Sequence, residues 1–107
     1  MADERREGER VPLPLEARLE SASGKHPVRI SDISLNGCYI ESLGQVEVGE
    51  RVRFEVQVPT GQWMQLGGKV VYTHLNIGFG VRFADLSDSK RRVLEQLIDY
   101  ARAQHKP

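Results

Sequence analysis

A chain of 107 residues is the size of one ordinary domain, able to bury a single modest core and too short for two. Its 15 lysines and arginines balance 15 aspartates and glutamates, so no global field draws in a long polyanion, and DNA is not an expected partner. Cys38 is the single cysteine, no apolar run approaches the ~20 residues of a membrane helix, and the opening MADERREGER has no apolar stretch for a signal peptide; the expectation is a cytoplasmic protein without disulfides or membrane insertion.

Residues 3–10 alternate acids, arginines and one glycine with no apolar anchor, the composition of a mobile arm. Leu13, Leu15, Ala17 and Leu19 then fall on one face, with Glu16, Arg18 and Glu20 on the other, the period-two pattern of a half-buried strand. Ser23-Gly24 turns the chain, Val28 and Ile30 restart the alternation, Asn36-Gly37 interrupts it, and residues 38–40 resume it before Gly44 and Gly49 mark a longer connection. Val52, Phe54, Val56 and Val58 form the clearest strand, ended by the hairpin tip Pro59-Thr60-Gly61. Residues 63–73 and 77–83 read as two more strands, with Phe79, Val81 and Phe83 facing one way. From there the period turns helical: Leu86, Val93, Leu94, Leu97, Ile98 and Ala101 recur at three- and four-residue steps, starting near Asp85 or Ser87. Five or six short strands and one closing helix predict an all-β dominated fold, a closed or nearly closed antiparallel barrel whose helix covers an open end or a face.

No enzyme constellation is present. His26, His74 and His105 are scattered, Cys38 lacks a partner at metal-ligand spacing and reads as a buried thiol, and no serine sits in a GxSxG turn. Asp85 and Asp88 read as helix-start residues, and Gly78-Phe79-Gly80 lies in a strand pattern, where close packing or a bulge accounts for it better than a phosphate loop. The expected function is therefore binding, with neither catalysis nor a metal or cofactor. A single-strand nucleic-acid binder would show a basic groove with several exposed aromatics, which this neutral chain does not suggest.

Two local motifs remain: Arg5-Arg6-Glu7-Gly8-Glu9-Arg10, and Asp32-Ile33-Ser34-Leu35-Asn36-Gly37. Taken singly, the first is also a solvated, charge-balanced tail, and the second a turn in which Asp and Ser side chains bond nearby amides and Asn36-Gly37 supplies positive φ. Taken together, RxxxR (Arg6 and Arg10), a strand, and then DxSxxG resemble the PilZ domain family. The resemblance extends over nearly the whole chain, through Cys38-Tyr39-Ile40, the strand Lys69-Val70-Val71-Tyr72, the strand at residues 77–83 and the closing helix.

The resemblance implies a stand-alone, single-domain receptor for cyclic di-GMP: a flexible arm over residues 1–12 and a six-stranded antiparallel barrel with a C-terminal helix over residues 13–107. The arm would order over the ligand and signal to an effector protein. Carried over by motif, Arg6 and Arg10 contact phosphate and guanine, and Arg5 supplies a third guanidinium, which in the family accompanies a stacked pair of ligands. Asp32 and Ser34 take guanine or nearby polar groups, while Gly37 fixes the loop and keeps room for the base. Guanidinium chemistry suits this ligand, since it forks onto phosphate, pairs with the O6 and N7 edge of guanine, or stacks on its face. Glu7, Gly8 and Glu9 depart from the usual pattern, placing two carboxylates beside a dianionic ligand and raising the ordering cost. Tyr72 is either a guanine-stacking residue or rim packing, and Trp63 either a partner surface or barrel packing. The alternative is a PilZ-fold interaction module of motility, pilus or polysaccharide machinery with weak or no ligand binding.

Overall fold

The computed structural model of the chain describes residues 9–104. In chain order it forms β1 (Val11–Ser21), β2 (Gly24–Ile33), β3 (Gly37–Glu41), β4 (Arg51–Gln57), β5 (Trp63–His74), β6 (Gly78–Phe83) and α1 (Asp88–Gln104). The six strands make a closed antiparallel barrel in the order β1-β2-β3-β6-β5-β4, and β4 closes on β1 through Ala17–Leu19 alone.

Alternation determines which side of each strand faces inward. Val11, Leu13, Leu15, Ala17 and Leu19 are buried along β1 while the residues between them face outward. Strand pairing thus begins at Val11, two residues before the alternation at Leu13 declares itself; Pro12 sits opposite Asp32 at the edge of the bulge against β2 and Pro14 falls inside it, where β1 has no β4 neighbour. Proline, lacking an N–H, is tolerated at such positions. Val52, Phe54 and Val56 of β4, Leu66 and Val70 of β5, and Phe79 and Val81 of β6 fill the interior with Ile30, Ile33 and Ile40. Each such side chain stabilises the fold by about 1.5–3 kcal/mol relative to exposure.

The helix covers β1 with Leu94, Leu97, Ile98 and Ala101. Ser87 caps it, its hydroxyl accepting the Lys90 N–H at 3.2 Å. Asp88 occupies the first turn and Arg102 the last, each matched to the sign of the helix dipole. Leu86, which shares the apolar period, lies before the helix in the link from β6 and packs on the core from there. Asp85 is likewise outside the helix, in the left-handed region at φ 53°.

A second difference concerns Asn36-Gly37. Left-handed φ among the described residues occurs at Gly24, Gly49, Gly61, Asn76 and Asp85, so neither Asn36 nor Gly37 supplies it. The turn is held by the Ser34 side chain, and Gly37 is already the first residue of β3.

Cys38 is fully buried, and burial, reinforced by the Asp32 charge, pushes its thiol far above the ordinary value. It is a small core hydrophobe with no thiolate at neutral pH. Replacing it with serine puts an unpaired hydroxyl in the same place and is expected to lower stability by about 1–3 kcal/mol. Denaturant unfolding measures this loss, and native Cys38 should resist thiol reagents until the barrel opens.

Candidate functional site

The site lies on the outer surface of the barrel, where the start of β1 meets β2, β3, β5 and β6. Two bulges create it. Ile30 and Ile33 of β2 are both buried although three residues apart, which strict alternation forbids; the register shift between Ile30 and Asp32 resolves the conflict and turns Asp32 outward. On β5 the shift between Val70 and Tyr72 does the same, keeping Val70 in the core and laying Tyr72 on the outside of β6.

Glycines on β6 make room for that ring. A Cβ at Gly80 would collide with the Tyr72 ring, and one at Gly78 would meet the Tyr39 ring at 2.8 Å and collide with the Ile40 carbonyl oxygen. The two tyrosines therefore lie over Gly78 and Gly80, with centroids 6.1 Å apart and planes inclined by 28°. His74 completes the cluster, its Nδ1 sharing a 2.9 Å hydrogen bond with the Tyr39 hydroxyl. Desolvation, followed by nearby Tyr72, Glu41 and Asp32, raises the Tyr39 phenol above its ordinary value, so the ring remains neutral.

Arg10 projects from just before β1 into this cluster. Its Nη1 donates to the Tyr72 hydroxyl at 2.6 Å and stands 3.4 Å from the Asp32 carboxylate, with the guanidinium carbon 5.5 Å from the Tyr72 ring centre. Both charged groups keep over a quarter of their side-chain surface in water, at 39% and 30%. Such a pair contributes at most about 1 kcal/mol, so either partner is readily released to a ligand.

Ser34 and Gly37 stand differently. Ser34 is 3% exposed, and its hydroxyl accepts the N–H groups of Asn36 at 3.1 Å and Gly37 at 3.2 Å. Its structural place is inside the turn that carries Asp32. At Gly37 a Cβ would collide with the Val81 carbonyl oxygen, so the space this glycine keeps clear is occupied by the backbone of β6. Arg5 and Arg6 lie outside the described residues.

Two features had no local signal. Alternation by itself puts Tyr72 with Val70 on the core face, and only the bulge reverses it. Glu9, expected to repel an anionic ligand, accepts a hydrogen bond from Arg102 Nη2 of α1 at 2.8 Å, which offsets its charge. Trp63 is far from these groups in the register and carries the Arg18 guanidinium on its ring at 3.6 Å, while Arg18 Nε and Lys25 both reach Glu55. Among the described residues no three His, Cys, Asp or Glu side chains gather closely enough to hold a metal ion, and no helix is long and apolar enough to cross a membrane.

The PilZ domain family model matches residues 4–100. Among solved structures, the PilZ domain with c-di-GMP of YcgR from Escherichia coli is similar at TM-score 0.76 and 16% identity, covering 90% of each chain. The Bacillus subtilis inhibitor of motility MotI/DgrA is similar at TM-score 0.70 and 12% identity over 91% of this chain and 51% of its own, so this chain spans about half its length. PlzA of Borreliella burgdorferi, solved in complex with c-di-GMP, follows at TM-score 0.61 and 11% identity over 97% of this chain and 55% of that one. No curated protein matches the chain. At these identities the structural likeness establishes the fold.

Proposed function

The chain belongs to the PilZ domain family, and on that premise we propose that it is a cyclic di-GMP receptor that passes ligand binding on to a partner protein. The observation that carries this reading is the convergence of Arg10, Asp32 and Tyr72, from three separate segments, on one exposed spot. Arg10 presents a guanidinium able to fork onto a phosphate or the O6 and N7 edge of guanine. Asp32 accepts from the N1 and N2 donors of guanine, and the Tyr39 and Tyr72 rings offer a face for the base. Ser34 and Gly37 act through the turn, holding Asp32 in place. Arg5 and Arg6 join from the arm, which orders over the ligand, and Arg5 as a third guanidinium favours a stacked pair of ligands over a single one. The protein works by binding and not by catalysis.

Calorimetric titration with cyclic di-GMP, alongside GTP, cyclic GMP and a short oligonucleotide, tests the reading. Binding is expected for cyclic di-GMP alone, and amide exchange at residues 5–10 should slow with saturating ligand while α1 changes little. Absence of heat with cyclic di-GMP would leave the interaction module of motility, pilus or polysaccharide machinery as the function.

A further inference from the structure

A second charged surface lies on β4, β5 and β6. Arg51, Lys69 and Arg82 stand directly opposite one another across these strands, all exposed, and Arg53 follows two places along β4 on the same face. Like charges directly opposite in a sheet are destabilising. No ion pair joins any of the four to an acid among the described residues, whereas Arg18 and Lys25 share Glu55, Arg29 meets Glu16, and Arg102 meets Glu9. The row thus keeps an electrostatic cost that its own acids do not relieve.

Beside the row is a groove of about 640 Å³ lined by Arg51, Arg53, Lys69 and Lys90, with Gly67 and Gly68 in its wall and two acids, Glu20 and Asp85, in its lining. The cations outnumber the acids there by four to two. Gly67, directly opposite Arg53 and on the same face as Lys69, carries no side chain, so β5 stays bare beside that lysine.

We propose that this groove docks an acidic segment of a partner protein. Arginine forks match carboxylates in bidentate geometry, and clustered carboxylates supply the counter-charge the row lacks. A nucleic acid fits less well: the only aromatic of the lining, Phe54, is buried, so no ring is available for stacking, and the two acids interrupt a continuous phosphate track. A bilayer fits less well too, because a flat surface does not reach into a concave groove. The groove contains none of Arg10, Asp32, Tyr39 or Tyr72, so the proposal does not rest on cyclic di-GMP binding.

Lys69→Glu separates this role from a structural one. It places a carboxylate between Arg51 and Arg82, so thermal stability is expected to rise. Affinity of the whole chain for a fluorescent hexaglutamate peptide, read by anisotropy at low salt, is expected to fall at least tenfold. Arg92→Glu, which removes the same charge from an exposed position on α1, should leave peptide affinity unchanged. In the unsubstituted protein the peptide should shift the amide resonances of Arg51, Arg53 and Lys69. Equal losses in both variants, no peptide binding, or shifts centred on Asp32 and Tyr72 would each overturn the proposal. So would groove-dependent binding of oligothymidylate or of phosphatidylserine vesicles in place of the peptide.

Discussion

Arg10→Ala is expected to weaken cyclic di-GMP binding by about ten- to a hundredfold while leaving the melting temperature of the barrel unchanged. The ligand-free contacts of Arg10 are a 2.6 Å hydrogen bond to Tyr72 and a 3.4 Å approach to Asp32, both on the surface, so folding draws little from them. Bound to phosphate or guanine, the same group would make charge-assisted hydrogen bonds of about 1.5–3 kcal/mol, and each 1.4 kcal/mol is a factor of ten in affinity. Calorimetry of the variant beside thermal unfolding separates the two quantities. Full affinity in the variant would remove Arg10 from the site and, with it, the carrying observation. A loss of affinity accompanied by an equal loss of stability would mark Arg10 as a structural residue.

Gly37→Ala should have the largest effect on the barrel itself. The added Cβ collides with the carbonyl oxygen of Val81 and lies 3.1 Å from its carbonyl carbon and 3.2 Å from Arg82 Cα. All three obstacles are backbone atoms of β6, so no side chain can rotate out of the way. Gly80 differs, because the atoms crowding its missing Cβ belong to the Tyr72 ring, which can move at the cost of the site. Overpacking of this kind costs about 1–3 kcal/mol, which in a domain of this size is roughly 5 to 20 °C in Tm. Circular dichroism on heating measures it. Because Ser34 bonds Gly37 within the same turn, ligand affinity should fall as well. An unchanged Tm would mean that β6 moves away from β3 without penalty.

Much of this architecture is legible in the sequence because burial imposes period two on strands and a three-to-four step on the helix. The alternation from Leu13 to Leu19, the run Val52 to Val58 and the stripe Leu94, Leu97, Ile98, Ala101 each place their elements, and the turn residues Gly24 and Gly61 do adopt positive φ. What the sequence hides is where a strand breaks its own period. The bulges at Ser31 and Val71 leave no mark in composition, yet they decide that Asp32 and Tyr72 face solvent and meet at Arg10. Ser34 illustrates the converse: the motif marks it, but its position inside the turn depends on how three backbone and side-chain groups close on one another. The meeting of Glu9 with Arg102 joins opposite ends of the chain and becomes visible only when α1 settles on β1.

Closure of the sheet has a consequence for how any signal leaves this molecule. Every strand has a neighbour on both sides, so no free row of N–H and C=O groups is left along a full edge for another chain to join. Recognition by strand addition is thereby confined to the short stretches of β1 and β4 beyond their Ala17–Leu19 seam. Around the rest of the barrel a partner must read side chains, loops or the helix, which vary without disturbing the hydrogen-bonded frame. The barrel is therefore a fixed chassis for replaceable surface residues.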